Sequence, residues 1–192
     1  MSIKKISKEQ PEFFKFSEEN LNKAKKIISK YPTEKQASAV MPLLYLVQGQ
    51  NENWIPLVAM KYIAKFLNIP YIRVYEVATF YSMFNLEPVG KNFVQICRTT
   101  PCWLRGSNKL TKVAKEFSGC NLGETTNDKK FTFVEVECLG ACCNAPMVQI
   151  NDDYYEDLDE NTFKKILLDI KNNTQIKKGS QIGRQTSHPK RI

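Results

Sequence analysis

Two short stretches carry paired cysteines, Cys97-Arg98-Thr99-Thr100-Pro101-Cys102 and Cys138-Leu139-Gly140-Ala141-Cys142. Four residues separate the cysteines of the first pair, and three separate those of the second. Thiolates paired at short spacings on two loops are typical ligands of a metal centre. The two stretches therefore predict one metal centre held by four thiolates.

The residues around the pairs predict how the chain presents them. Residues 93–96 and 131–136 are apolar, β-branched and aromatic, which predicts two strands that deliver Cys97 and Cys138. Residues 103–117 are predicted to form a helix, so that Cys102 lies at a helix N-terminus. The helix dipole and free N–H groups favour a thiolate at such a position.

The spacing leaves the identity of the metal open. A [2Fe–2S] cluster is held by four cysteine thiolates, and a four-cysteine zinc site that stabilises an interaction module accepts similar spacings. Unliganded core cysteines are a third interpretation, which two tight pairs disfavour. Two cysteines are left over: Cys120 follows a helix end, whereas Cys143 adjoins Cys142 and could in principle replace it as a ligand.

Composition and missing motifs exclude several classes of function. The only histidine, His188, excludes a Rieske centre and histidine-based triads built by this chain alone. The eight glycines spell no dinucleotide or phosphate loop, so the chain alone is not expected to oxidise NADH. The net charge of +8 is spread along the chain without a nucleic-acid motif, which predicts no nucleic-acid partner. No apolar run approaches the roughly 20 residues of a membrane helix, and no secretory signal is present, so direct membrane insertion is not expected.

Helix and turn signals divide the chain into four parts: a loose arm at 1–16, a helical bundle at 17–88, an α/β domain at 89–172 and a basic, irregular tail at 173–192. Ser17 is predicted to cap the first helix, and Thr33 with Gln36 predicts a capping box for a second helix that continues to about residue 48. Pro42 predicts a kink or a loose turn inside this second helix. Pro56 and Pro70 predict the starts of two further helices.

The α/β domain is predicted to have the order β-α-β-β-α. Residues 147–150 and 154–155 flank a turn and predict a hairpin. Asp159 is predicted to cap a last helix, whose apolar residues recur at helical spacing. The fold class is therefore α+β, with a helical bundle followed by a small α/β sandwich.

The residues around both cysteine pairs, 94–107 and 138–158, closely resemble the cluster motif of the thioredoxin-like [2Fe–2S] subunit of NADH:quinone oxidoreductase, respiratory complex I. The helical segment 33–84 is similar to the N-terminal bundle of the same family, and the resemblance covers about residues 17–172. The sequence departs from the family at Cys143, where an apolar residue is usual.

The resemblance implies a thioredoxin-like α/β domain with one [2Fe–2S] cluster, ligated by Cys97, Cys102, Cys138 and Cys142. It further implies an electron-transfer subunit beside a partner that binds FMN and NADH, among other peripheral-arm subunits. Members face the cytoplasm in bacteria or the matrix in mitochondria. The equivalent subunit of an NAD-linked hydrogenase or formate dehydrogenase, or a free-standing ferredoxin, remains the alternative within the iron–sulfur class.

Overall fold

The structure is a computed structural model that describes residues 5–186, and it divides into two compact units between Val89 and Gly90. The first unit is helical. Its elements are α1 (Glu18–Ile28), a 3₁₀ turn (Gln36–Ala39), α2 (Val40–Gln50), α3 (Leu57–Leu67) and α4 (Tyr71–Phe80).

Capping and proline positions set the starts of these helices. Ser17 caps α1 as predicted, because its side chain accepts a hydrogen bond from the backbone N–H of Asn20 at 3.2 Å. Pro56 and Pro70 stand immediately before α3 and α4 with extended backbone, so each proline directs the chain into its helix without losing an intrahelical hydrogen bond.

The predicted helix from Thr33 to about residue 48 is wrong in its first part. The 3₁₀ turn has no side-chain cap, so no capping box forms between Thr33 and Gln36, and α2 begins only at Val40. Pro42 consequently lies in the first turn of α2, where its missing N–H would have had no partner inside the helix. The proline therefore marks the start of the helix and does not kink it.

The arm predicted to be loose at 1–16 is packed over its described part. Phe14 and Phe16 are buried in the helical core, and each makes an edge-to-face contact with Tyr62, at ring-centroid distances of 5.6 and 5.4 Å. The backbone N–H of Ser7 also donates to the carbonyl of Leu86 at 3.0 Å. Aromatic burial thus fixes a segment that shows no periodicity in sequence; residues 1–4 lie outside the described residues.

The second unit is built around a five-stranded mixed sheet. Its elements are β1 (Asn92–Cys97), α5 (Thr100–Leu104), α6 (Ser107–Ser118), β2 (Phe131–Val136), a 3₁₀ turn (Cys142–Asn144), β3 (Val148–Ile150), β4 (Asp153–Glu156), α7 (Glu160–Lys171) and β5 (Gly179–Ser180). The strand order is β2-β1-β3-β4-β5; β1 pairs parallel with β2 and antiparallel with β3, β3 pairs antiparallel with β4, and β4 pairs parallel with β5.

Most predicted elements of this unit are confirmed. The strands, the hairpin of β3 and β4, and the cap of α7 are present, and Asp159 forms a capping box with Thr162. The single helix predicted at 103–117 is wrong, because the chain turns at Gly106 with a φ of +98° and separates α5 from α6. Buried residues of α6 and α7 form one apolar core with buried residues of the sheet.

The tail that was predicted to be irregular is partly packed within the described residues. Gly179 and Ser180 are buried and form β5 at the edge of the sheet, and Ile176 packs against the apolar core. Arg184 forms an ion pair with Asp157. The part of the tail that holds His188 lies outside the described residues. In residues 5–186, none of the helices has the length and apolar character that crossing a membrane requires.

Gly90 gives a direct test of the packing at the start of this unit. A Cβ at Gly90 would lie 2.5 Å from the carbonyl carbon of Phe131, so Gly90→Ala must displace backbone. We expect this substitution to lower the free energy of unfolding by about 1–3 kcal/mol in chemical denaturation. Gly49→Ala is the control: it lies in α2 with no atom within 4 Å of the new Cβ, and it should raise stability by about 0.5–1 kcal/mol. Equal stability of the Gly90→Ala protein and the unsubstituted chain would contradict this packing.

Candidate metal centre

Parallel pairing of β1 with β2 brings the two cysteine pairs to the same end of the sheet. Cys97 is the last residue of β1 and lies opposite Val136, the last residue of β2. Cys138 follows two residues later. Because parallel strands end at the same edge of a sheet, the loops that leave β1 and β2 start side by side.

The first pair is buried. Cys97 and Cys102 are each 1% exposed, and Cys102 is the third residue of α5. Burial and, to a smaller extent, a hydrogen bond with Cys97 raise the pKa of the Cys102 thiol to about 12, although a hydrogen bond from the backbone N–H of Met147 acts in the opposite direction. Two thiols thus face each other in a desolvated position, where a cationic partner would favour their deprotonated form.

The second pair is exposed, and its sulfur atoms lie 3.3 Å apart. Gly140 has a φ of +87°, and its N–H donates to the sulfur of Cys138 at 3.4 Å. That hydrogen bond lowers the pKa of Cys138, whereas the hydrogen bond with Cys138 raises the pKa of Cys142.

The two pairs meet through Thr99. Its hydroxyl lies 3.4 Å from the sulfur of Cys97 and hydrogen-bonds to Cys138 in the other pair. Cys142 interacts electrostatically with both Cys97 and Cys102. The structure therefore brings together the four thiols that the sequence selected: Cys97 at the end of β1, Cys102 in α5, and two in the loop after β2.

The two remaining cysteines occupy different places. Cys120 follows the far end of α6, about 18 Å along the helix from its start. It lines a surface pocket of about 290 Å³ together with Phe117 and Lys171. Cys143 is exposed beside Cys142, and its carbonyl accepts a hydrogen bond from Arg184 at 2.8 Å.

Sequence reasoning missed the groups that hold the cysteine loops. The hydroxyl of Tyr154 donates to the carbonyl of Leu139 at 2.6 Å, across the hairpin from the second pair. Burial raises the pKa of Tyr154, which keeps this donor protonated. Tyr154 on β4 and Arg184 in the tail are not adjacent in sequence to the cysteines that they support. No local sequence pattern therefore indicated their role. Arg98, between the cysteines of the first pair, forms an ion pair with the carboxylate of Glu135 at 3.7 Å.

The residues present fit an iron–sulfur cluster by the chemistry of their donors. Thiolates are the ligands that such clusters take, and N–H groups close to the sulfurs compensate for the negative charge of the cluster. Ser107, the first residue of α6, is buried, and among residues 5–186 its hydroxyl has no hydrogen-bond partner. Within those residues, no three His, Cys, Asp or Glu side chains form a group suited to a single metal ion. A two-iron cluster does not require three side chains around one ion, because its four thiolates are divided between two iron atoms, two on each.

Comparisons of the sequence with known proteins agree on one family. The model of the thioredoxin-like [2Fe-2S] ferredoxin family matches residues 24–171. A component of the NADH-quinone oxidoreductase of Rickettsia bellii is 55% identical over 159 residues, which cover 83% of this chain and 95% of the relative. The mitochondrial NADH dehydrogenase [ubiquinone] flavoprotein 2 of Dictyostelium discoideum is 52% identical over 174 residues, which cover 91% of this chain and 70% of that relative.

Comparison with solved structures supports the fold. A chain of an NAD+-reducing [NiFe]-hydrogenase in the H2-reduced state matches 72% of this chain with a TM-score of 0.63 and 17% sequence identity. The present chain spans only 23% of that hydrogenase chain. At this identity, the match is evidence for a shared fold alone.

The hydrogen bond of Tyr154 gives a test of how the second cysteine loop is held. Tyr154→Phe removes the donor to Leu139, and we expect it to lower the free energy of unfolding by about 1 kcal/mol in chemical denaturation. Tyr155→Phe removes a hydroxyl from the opposite face of β4 and serves as the control. A loss in Tyr155→Phe at least as large as that in Tyr154→Phe would contradict the assigned role.

Proposed function

The chain belongs to the thioredoxin-like [2Fe–2S] ferredoxin family, and from that premise we propose that it is the electron-transfer subunit of NADH-quinone oxidoreductase that carries one [2Fe–2S] cluster. The observation that carries this conclusion is the 55% identity with the Rickettsia bellii component across 95% of that relative's length. Membership of the family also decides between zinc and iron, which the cysteine spacing left open. The predicted [2Fe–2S] cofactor is thus confirmed.

The hydrogenase alternative has weaker support. Its evidence is a shared fold at 17% identity, over less than a quarter of the hydrogenase chain. The named relatives at more than half identity belong to NADH-quinone or ubiquinone oxidoreductases. The quinone-linked complex is therefore the assignment that the comparisons favour.

We propose that Cys97, Cys102, Cys138 and Cys142 are the four cluster ligands. When bound, a [2Fe–2S] cluster takes up and returns one electron at a time. The buried first pair excludes water from one side of the centre, whereas the exposed second pair opens the other side towards the surface. The N–H groups of Gly140 and Met147 stabilise negative charge on the sulfurs that they contact.

A partner must supply the hydride chemistry. NADH delivers two electrons together as a hydride, and a flavin converts this into single-electron transfer. We propose that FMN and NADH bind to a neighbouring flavin-bearing subunit, that other peripheral-arm subunits surround this chain, and that it lies at the periphery of the complex on the cytoplasmic or matrix side. The absence of a dinucleotide loop in this sequence is in line with that division of labour.

The surface beside Cys102 offers a place for the flavin-bearing partner. Trp103 and Leu104 directly follow this cysteine on α5 and are 55% and 70% exposed. Large exposed apolar side chains next to a functional group are typical of protein interfaces. Electron transfer requires the partner to approach the cluster closely, so we propose that the flavin-bearing subunit contacts α5.

The ligand assignment predicts a sharp division among the six cysteines. Replacement of Cys97, Cys102, Cys138 or Cys142 by serine should abolish or strongly destabilise the cluster, because each substitution removes a thiolate from an iron atom. Cys120→Ser and Cys143→Ser should retain it. The measurement is iron and sulfide content together with electron paramagnetic resonance of the reduced protein. A full cluster in Cys142→Ala and none in Cys143→Ala would reject the assignment.

The division of labour predicts how the cluster responds to NADH. The chain alone should be reduced by a strong chemical donor but remain unchanged in anaerobic excess NADH, since it has no flavin. Addition of the flavin-bearing subunit should make its visible absorbance bleach with NADH. Leu104→Ser should slow this reduction several-fold by weakening the proposed contact.

Leu168→Ser provides the matched control, because Leu168 is exposed on α7 of the same unit. This substitution should leave the rate of cluster reduction by NADH, measured with the flavin-bearing subunit, unchanged. Rapid bleaching of the isolated chain by NADH would refute the proposal that the partner performs the hydride chemistry. If Leu104→Ser and Leu168→Ser slowed reduction of the cluster by NADH equally, the proposed docking surface would be rejected but the division of labour would stand.

A further inference from the structure

The end of the described chain returns to the sheet as a strap, residues 179–185. Its first two residues form β5, in which Gly179 lies opposite Tyr155 and Ser180 opposite Glu156 of β4. The N–H of Gln181 continues this pairing by donating to the carbonyl of Glu156 at 3.0 Å. The strap is therefore fixed to the edge strand before it reaches the cysteine loops.

Beyond β5, the strap contacts the turn that follows Cys142. Arg184 donates through Nη2 to the carbonyl of Cys143 at 2.8 Å. The carbonyl of Gln185 accepts from Nδ2 of Asn144 at 2.7 Å. Both contacts lie within two residues of Cys142, on the same 3₁₀ turn. The turn that presents the fourth predicted ligand is consequently held by a segment some forty residues further along the chain.

Arg184 makes this contact from a fixed position. Its guanidinium forms an ion pair with Asp157, whose side chain is only 3% exposed, and its Nε lies 3.3 Å from the second carboxylate oxygen. Ser180 donates to the same carboxylate at 2.6 Å and accepts from the backbone N–H of Arg184 at 3.0 Å. A guanidinium held at two points by a buried carboxylate has little freedom, so its third contact restrains the carbonyl of Cys143.

The ion pairs of Lys178, just before the strap, and of Arg184, within it, differ in what they connect. Lys178 also bridges to the sheet, through Asp153 of β4 at 2.7 Å. The Lys178 pair links the chain to β4, whereas Arg184 joins Asp157 to the cysteine turn directly. A lysine in place of Arg184 would keep the charge but not the planar fork that contacts the carboxylate and the carbonyl together.

We propose that Arg184 is a positioning residue for the Cys142 ligand, acting through the carbonyl of Cys143 and the buried carboxylate of Asp157. The inference rests on the proposed function, because it assumes that Cys142 ligates the cluster. Arg184 holds the 3₁₀ turn in the position that a cluster ligand requires, and its cation lies on the side of the second pair. Positive charge near a cluster favours the more negative, reduced form.

The test compares Arg184→Gln with Lys178→Gln in the full-length, cluster-loaded chain. Arg184→Gln should shift the midpoint potential to a more negative value, change the electron paramagnetic resonance spectrum of the reduced cluster and accelerate cluster loss to an iron chelator several-fold. Lys178→Gln removes an ion pair between the residue just before the strap and β4, and it should match the unsubstituted chain in all three measurements. Arg184→Lys should return the potential towards the original value while cluster loss stays faster.

A second variant covers the case in which Arg184→Gln fails to fold because Asp157 is left buried without its cation. Arg184→Gln combined with Asp157→Asn removes that charge but still lacks the donor to Cys143, and it should fold and keep the altered spectrum. An unchanged spectrum, potential and rate of cluster loss in the folded Arg184 variants would overturn the proposal, and so would equal changes in Lys178→Gln. Cys142→Ser distinguishes failure of the ligand assignment from failure of the role of Arg184. A retained cluster in Cys142→Ser would reject the ligand assignment. A lost cluster in Cys142→Ser, together with no change in the Arg184 variants, would reject only the role of Arg184.

Discussion

The parallel pairing of β1 with β2 is the constraint on which the rest of this unit depends. It places Cys97 opposite Val136, so that the loops carrying the two cysteine pairs leave the sheet at one edge. A shift of this register by one residue would turn the buried side chains of β2 to the opposite face and separate the pairs. The apolar residues shared by the two strands and the helices above them therefore fix the metal centre as well as the fold.

The centre itself combines two environments. The first pair is buried and has backbone and side-chain partners, whereas the second pair is exposed on a turn and depends on contacts from elsewhere. Tyr154 holds this loop from β4, and Arg184 holds it from the C-terminal strap. A rigid buried half and an exposed half restrained from outside suit a cluster that must be shielded from water yet exchange electrons with a partner.

Local patterns predicted much of this structure. The strands beside the cysteines, the hairpin and the capping residues Ser17 and Asp159 could be predicted because strand composition, turn residues and caps depend on neighbouring residues. The four thiols were selected by spacing and resemblance, and the fold brings them together; their role as ligands stays a prediction. The start of α2 at Val40 was missed because Pro42 fits either a kink or a first turn, and sequence alone does not decide between them.

The remaining errors concern long-range contacts. Phe14 and Phe16 in the arm, and Ser180 and Arg184 in the tail, lie in segments without periodicity, and each is fixed by partners dozens of residues away. One buried carboxylate, Asp157, organises several of the tail contacts. Burial opposes its ionisation, but the hydrogen bonds from Arg184 and Ser180 outweigh that effect and lower its pKa. Such a network leaves no pattern in the sequence, because its residues are close in space but are not separated by a regular number of residues along the chain.

Elemental analysis of the chain purified without air tests the central claim, that its cysteines hold one [2Fe–2S] cluster, most directly. Iron, acid-labile sulfide and zinc are measured in the same sample and divided by the protein concentration. The account predicts iron and sulfide in equal amounts, about two of each per chain, with no stoichiometric zinc. One zinc per chain without sulfide would contradict it.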